Sequence, residues 1–205
     1  FPYTTLFRSK LARGPKQVSK YLKEKGFENI SVDRSFIEIY EVTTGLKIMP
    51  PKSTMSLKKW QSLREKAPAD VKKQQYKEFY EDQKDTTTPR GMTHLAMGLY
   101  NNILLNKQNT DFLIDIMKRT WDGHRLNRFL PSNVKIAHKT GTWYDMDVKG
   151  ANYGYCSDVG ILYLPNNKGH IAIAIYSMSD KNPNIKTHAI AVGKVSKLVY
   201  DELGM

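Results

Sequence analysis

The sequence predicts an α+β domain in which helices come first, a three-strand antiparallel meander follows, and one helix closes the chain. Three observations carry this. Apolar residues recur at helical spacing through the first part of the chain. From Val134 the period drops to two: Val134, Ile136 and His138 alternate with Lys135 and Ala137. From Ile185 the helical stripe returns as Ile185, Ala189, Val192, Val195 and Val199.

Gly14-Pro15 opens the first helix, because proline at the first helical position gives up an N–H that has no partner there anyway. Val18, Tyr21 and Leu22 form its apolar stripe, Gly26 ends it, and residues 27–32 form a connector into Asp33-Arg34. Residues 35–84 differ in character: Gly45, Pro50, Pro51 and Pro68 interrupt them and lysines crowd them. Two helices are expected there, one capped by Ser56 and reaching Lys66, one from Ala69 to Gln83. Trp60, Leu63, Tyr76, Phe79 and Tyr80 would face inward. The stretch is too short and polar to own a core, so it is expected to be an inserted lid and not a second domain. Thr88-Pro89 caps and starts a longer helix with Met92, Leu95, Ala96, Leu99 and Ile103 on one face. Another helix is expected from Asn109 or Thr110 to Thr120, with Phe112, Leu113, Ile116 and Met117 toward the core. Residues 125–129 make a short turn before Leu130-Pro131. The strands then run from Val134, from Ser157 to Leu164, and through Ile171, Ile173 and Ile175. A Gly/Asn/Asp-rich loop (145–154) and the turn 165–169 join them.

Composition narrows the function classes. The 205 residues carry a formal charge of +12, which favours an anionic neighbour such as nucleic acid, acidic lipid or cell-wall polymer. No run approaches the ~18 apolar residues of a membrane helix. A single cysteine excludes an internal disulfide and a cysteine-built zinc site. His94, His124, His170 and His188 lack ligand spacing, so no metal and no other cofactor is expected. Cys156 has no cation run or histidine beside it in sequence and reads as a small core residue. Phe1 to Ser9 (F-P-Y-T-T-L-F-R-S) matches the in-frame translation of a common sequencing-library adapter and is set aside from the fold. The alternative for it is a natural extended strand.

The motif with chemical content is Lys139-Thr140-Gly141-Thr142 at the end of the first strand. It presents a cation, a hydroxyl and bare backbone on one strand edge, able to hold a carboxylate and to offer an N–H to a developing oxyanion. The tripeptide is weak alone, but its surroundings add to it. Gly14-Pro15-Lys16 opens a helix, Asp85-Thr86-Thr87-Thr88-Pro89 leads into another, Leu130-Pro131 precedes Ala137-His138-Lys139, and Asp158-Val159-Gly160-Ile161 follows. In this order the landmarks resemble the penicillin-recognising serine hydrolases, most closely the class A β-lactamase family, which carries S-x-x-K, S-D-N and K-T-G.

The resemblance covers most of residues 10–203 and implies a β-lactamase/transpeptidase-like fold. Lys139 would position a substrate carboxylate and tune proton transfer, Thr140 would hydrogen-bond that carboxylate, and Gly141 would let the strand approach. The Thr142 N–H would be an oxyanion donor. Arg34 and Asp85 match the ion pair that pins the two ends of the family's omega loop, of which residues 35–84 would be an enlarged form. The family's S-D-N would fall just ahead of residue 1, and its S-x-x-K further upstream. The chain is therefore expected to be a C-terminal fragment, inactive alone, with the nucleophilic serine and the first two strands missing. Loss of those strands would bare Ile171–Ile175 as an apolar edge. The deacylating glutamate falls on Phe36, with Glu38 and Glu41 near, and the arginine before the glycine of the second strand falls on Val159.

The implied substrate is a small molecule or peptide: a β-lactam or a related amide or ester. The implied setting is bacterial and extracytoplasmic, periplasmic or secreted. The full-length protein would be monomeric, with anionic cell-wall polymer as a further partner. Two alternatives stay open. One is a non-catalytic polyanion- or nucleic-acid-binding module built on the lysines of 58–77, although a solvated basic face explains those lysines more cheaply. The other is a penicillin-binding-like pseudoenzyme. For His138, beside Lys139, packing is favoured over a site role because alternation sends it to the opposite face.

Overall fold

The computed structural model describes residues 14–46, 56–121, 124–144, 154–179 and 184–203. The adapter-like residues 1–9, the loop residues 145–153 and the side chains of Phe36 and Trp60 lie outside that description. The backbone forms two compact units, one from residues 1–21, 31–86 and 145–151, the other from 22–30, 87–144 and 152–205. Among the described residues no helix is long and apolar enough to cross a membrane.

The second unit is built on an antiparallel meander of β1 (Lys135–Tyr144), β2 (Gly154–Tyr163) and β3 (His170–Ser179), in that order across the sheet. Lys135 pairs with Tyr163 and Tyr144 with Gly154; Gly154 pairs with Ser179 and Tyr163 with His170. Alternation along these strands makes two faces. On one, Ile136, Cys156, Leu162 and Ile173 pack with Leu126, Val134 and Val192 of α7 (Ile185–Leu203). On the other, Ala137 packs with Leu99 and Ile114, flanked by Leu104, Leu105, Met117 and Tyr163. Leu99 belongs to α5 (Pro89–Tyr100) and Ile114 to α6 (Lys107–Lys118). Full burial of each such Leu, Ile or Val is worth roughly 1.5–3 kcal/mol, so the meander is the energetic centre of this unit.

Side-chain caps start α5 and α6. The Thr88 hydroxyl accepts from Gly91 N at 3.0 Å, with Pro89 at the first helical position. The Asn106 side chain accepts from Asn109 N at 2.9 Å. That cap begins α6 three residues before Thr110, and the helix buries a different face from the one expected. Ile114 is 8 % exposed and Thr110 is buried, whereas Phe112 is 65 % and Ile116 44 % exposed. On α7, Ala189 and Val192 are buried and Ile185 and Val199 pack on the core as expected, while Val195 points out and Ser196 is buried. Ile103 lies beyond the end of α5 and is exposed.

In the first unit, α2 (Phe36–Val42), α3 (Leu57–Lys66) and α4 (Ala69–Glu81) lie within residues 35–84. The helix α1 (Pro15–Glu24) precedes them in sequence. The sequence reading had no helix at 36–42. It starts on a capping box, in which Ser35 N donates to Glu38 Oε2 at 2.7 Å and Glu38 N donates back to Ser35 Oγ at 3.4 Å. The segment expected to lack a core has a small one. Tyr76 is fully buried, with Thr43, Thr44, Ala67 and the stem of Lys72 also buried. Arg64 Nη2 donates to the Tyr76 hydroxyl at 2.8 Å. Gln75 bridges backbone, accepting from Gly45 N at 2.7 Å and donating to Leu46 O at 2.8 Å. This core is assembled from hydroxyls and amides bonded to backbone, which an apolar-periodicity reading does not register.

Gly160 lies close against β1: a Cβ there would lie 2.6 Å from Ala137 O and 2.7 Å from His138 Cβ. The obstacle includes backbone and cannot swing aside. Gly160→Ala is therefore expected to cost about 1–3 kcal/mol, read as a lower urea midpoint with an unchanged slope.

Candidate active site

The residues singled out by sequence lie on β1. Lys139 pairs with Val159, Thr140 with Asp158, Gly141 with Ser157, and Thr142 with Cys156. Alternation divides them between the two faces. Lys139 and Gly141 share the face of Ala137, and His138, Thr140 and Thr142 share the face of Ile136. Lys139 is exposed, and its Nζ donates to Thr140 O at 2.5 Å. Gly141 has no room for a side chain, since a Cβ would lie 2.5 Å from Ser157 Oγ. Thr140 is buried and Thr142 exposed.

A residue not singled out by sequence ties this strand together. Arg125 is 4 % exposed, and its Nη1 donates to both Gly141 O and Ser157 O at 2.7 Å. Its Nη2 donates to Thr142 Oγ1 at 2.5 Å. One guanidinium thus grips two neighbouring strands and a hydroxyl of the motif, with charge-assisted bonds stronger than neutral ones. α7 reaches this point because Gly193 has no side chain: a Cβ there would lie 2.9 Å from Arg125 O. Val159 stands where the resemblance puts the family's arginine, and the guanidinium that reaches β1 and β2 comes from Arg125. The residue opposite Thr142 is Cys156, not Val159. Burial pushes the Cys156 thiol up, with the Arg125 charge acting against it. Burial likewise pushes up the phenols of Tyr155 and Tyr176, which face one another at 6.0 Å between ring centroids.

Beside the guanidinium is a buried histidine–aspartate pair. Asp158 is fully buried, and both its oxygens lie 2.9 Å from His138 Nδ1. Leu126 N, next to Arg125, donates to Asp158 Oδ2 at 3.1 Å. His138 lies on the opposite face from Lys139, packed as anticipated, with a charged partner across the ladder that the packing argument did not foresee.

A family model described as the beta-lactamase enzyme family matches residues 9–203. The chain belongs to this beta-lactamase enzyme family. Among its curated relatives, beta-lactamase VEB-1 of Pseudomonas aeruginosa is 32 % identical over 134 residues, covering 62 % of this chain and 42 % of that protein. Beta-lactamase 3 of Bacillus cereus is 31 % identical over 120 residues, covering 58 % and 35 %. Of solved structures, the TLA-1 extended-spectrum beta-lactamase superposes with a TM-score of 0.70 at 25 % identity, over 98 % of this chain and 59 % of that one. A class A beta-lactamase from Bacteroides cellulosilyticus does so at 0.69 and 21 %, over 96 % and 56 %, a likeness of fold. The chain spans about four tenths of the length of the curated relatives and under six tenths of the solved ones. The α+β fold is that of the class A beta-lactamases.

Within the first unit of this beta-lactamase-family chain, Arg34 and Asp85 meet. Arg34 Nε donates to Asp85 Oδ2 at 2.6 Å, while Asp33 N and Arg34 N donate to Oδ1 at 2.6 and 2.9 Å. Arg34 Nη1 also reaches Asp82 Oδ2 at 3.0 Å. The bond from Lys84 N, and after it the Arg34 charge, hold the Asp82 carboxyl below its ordinary value, against some desolvation. Glu38, near the position where the family has its deacylating glutamate, caps α2 through Ser35. Ser-x-x-Lys spacing does occur twice in this chain, at Ser56–Lys59 and Ser132–Lys135. Ser56 is the N-cap of α3, its Oγ accepting from Lys59 N at 3.2 Å, and Ser132 lies in the turn before β1.

Two outcomes follow from this geometry. Arg125→Met strips charged donors from two buried carbonyls and is expected to lower stability by about 1.5–3 kcal/mol in a urea melt. Asp85→Ala is expected to speed hydrogen exchange at the Asp33 and Arg34 amides several-fold, with the amides of β2 unchanged.

Proposed function

We propose that residues 139–142 form one wall of a serine acyl-transfer site acting on a β-lactam or a related amide, ester or peptide. The nucleophilic serine would come from sequence outside these 205 residues. The carrying observation is the pairing of an exposed ammonium, Lys139, with a buried guanidinium, Arg125, along three consecutive residues of one strand. Lys139 would hold a substrate carboxylate by a charge-assisted bond, with the buried Arg125 adding positive potential along the same strand. The Thr142 N–H would donate to the developing oxyanion. Alternation sets it on the same side of β1 as the His138 carbonyl, which Thr120 Oγ1 meets at 2.9 Å.

In the reaction, the serine oxygen bonds to the acyl carbon, the carbon–nitrogen bond breaks, and a proton passes to the leaving amine. Lys139 would lower the cost of that transfer by its charge. Water would then hydrolyse the ester. Phe36 stands where the family has its base, and Glu38 is spent on a helix cap, so the acyl-enzyme would persist and efficient penicillin turnover is not the proposed activity. Residues 35–84 would be an enlarged omega loop closed by Arg34 and Asp85. Such proteins act outside the cytoplasm, which is the proposed location.

The test has two arms. The purified 205-residue chain is expected to leave a chromogenic cephalosporin unhydrolysed, and the source DNA ahead of the Lys10 codon is expected to encode S-x-x-K and then S-D-N. The longer protein should gain the mass of one benzylpenicillin and hold it for minutes or more. Turnover by the short chain, or upstream sequence without a serine–lysine pair, would overturn the reading.

A further inference from the structure

The buried ring of His138 faces acceptors at both nitrogens. Nδ1 lies 2.9 Å from both oxygens of Asp158, and Nε2 lies 3.4 Å from the backbone carbonyl of Thr120. A neutral imidazole carries one N–H, so with Nδ1 donating to the carboxylate, Nε2 would turn a lone pair toward a carbonyl oxygen. The imidazolium carries two and satisfies both. Thr120 returns a bond to the same residue, its hydroxyl donating to His138 O at 2.9 Å. The acceptors belong to different pieces of chain: Asp158 to β2, Thr120 to the connection between α6 and β1. Asp158 also takes Leu126 N at 3.1 Å, immediately after Arg125. Among the described residues, Asp158 and Arg125 are the charged groups that β2 and the connection bring to this region, so a third charge on His138 would sit opposite a carboxylate.

We propose that His138 is a positioning residue: held as the imidazolium between Asp158 and Thr120, it ties Thr120 and, through Asp158, the Leu126 amide to β1 and β2 and so fixes the neighbouring Arg125 guanidinium against Gly141 and Thr142. The protonation and the clamp stand on geometry alone. Their consequence for a bound carboxylate rests on the acyl-transfer reading above.

The sign of the pH dependence follows. The doubly bonded ring is present at low pH and is lost as pH rises through its deprotonation, which breaks the bond to Thr120 O and leaves the Asp158 bond and the Thr120 hydroxyl bond in place. An imidazole used only as packing volume would titrate, if at all, without moving Arg125.

The experiment is nitrogen-15 NMR of the 205-residue chain across a pH series. At neutral pH both ring nitrogens of His138 are expected at imidazolium shifts, each with a bound proton. On raising pH, the Arg125 Nε–Hε and Leu126 amide signals should move with the same midpoint as the ring. Asp158→Asn, which keeps the shape and removes the charge, should convert His138 to a neutral tautomer at neutral pH. A neutral ring in the parent chain at pH 7 overturns the proposal, as does a ring that titrates while Arg125 stays still. Should Asp158→Asn fail to fold, the parent pH series decides alone. Adding benzylpenicillin separates this from the acyl-transfer reading. An imidazolium clamp in a longer protein that never acylates would leave the positioning role standing and sink only the proposed activity.

Discussion

Arg125 and Asp158 put a guanidinium and a carboxylate inside the same part of the sheet, and taking each out of water costs several kcal/mol. That cost is offset only if every partner is in place: Gly141 O, Ser157 O and Thr142 Oγ1 for the cation, Leu126 N and His138 for the anion. β1, β2 and the 120–131 connection therefore have one admissible register. A slip of one residue would carry Asp158 to the other face and strand both charges. Apolar alternation specifies which face is inside; the buried charges specify which residue stands opposite which.

The two cations near the motif have different duties. Arg125 is immobilised, and its planar fork is matched to two carbonyls and a hydroxyl, a geometry that lysine cannot reproduce. Lys139 is a compact charge on a flexible stem at the surface, its Nζ donating to Thr140 O. The glycines serve the same arrangement from the other side. Gly141 makes room for Ser157, Gly160 lets β1 and β2 close, and Gly193 lets α7 press on the carbonyl of Arg125.

The order of elements was legible because it rests on signals read over many residues: the change of period at Val134, Thr88-Pro89 and Ser56 as helix starts, and the K-T-G motif at the end of a strand. Rotational setting was less legible. The inner face of α7 was legible except at Val195, but on α6 Phe112 and Ile116 look as apolar as Ile114 and yet face out. The core around Tyr76 escaped because Thr43, Thr44 and Gln75 hide their polarity in backbone bonds. Arg125 escaped because an arginine in a short turn is ordinary, and only the folded register shows what it reaches. His138 was placed on the right face by alternation, but nothing local announces Asp158, twenty residues on, as its partner.

Asp85 holds its backbone in the left-handed region, at φ 56°, where few side chains other than asparagine and aspartate settle readily. The same residue supplies the carboxylate that takes Asp33 N, Arg34 N and the Arg34 side chain. Asparagine would keep the conformation and lose the charge; glutamate would keep the charge and strain the conformation; glycine would relax the backbone and offer nothing to bond. Two requirements that are each easily met alone leave one amino acid that meets both. Among variants of this chain, the junction at 85 should be the place where drift in the fifty residues ahead of it stops.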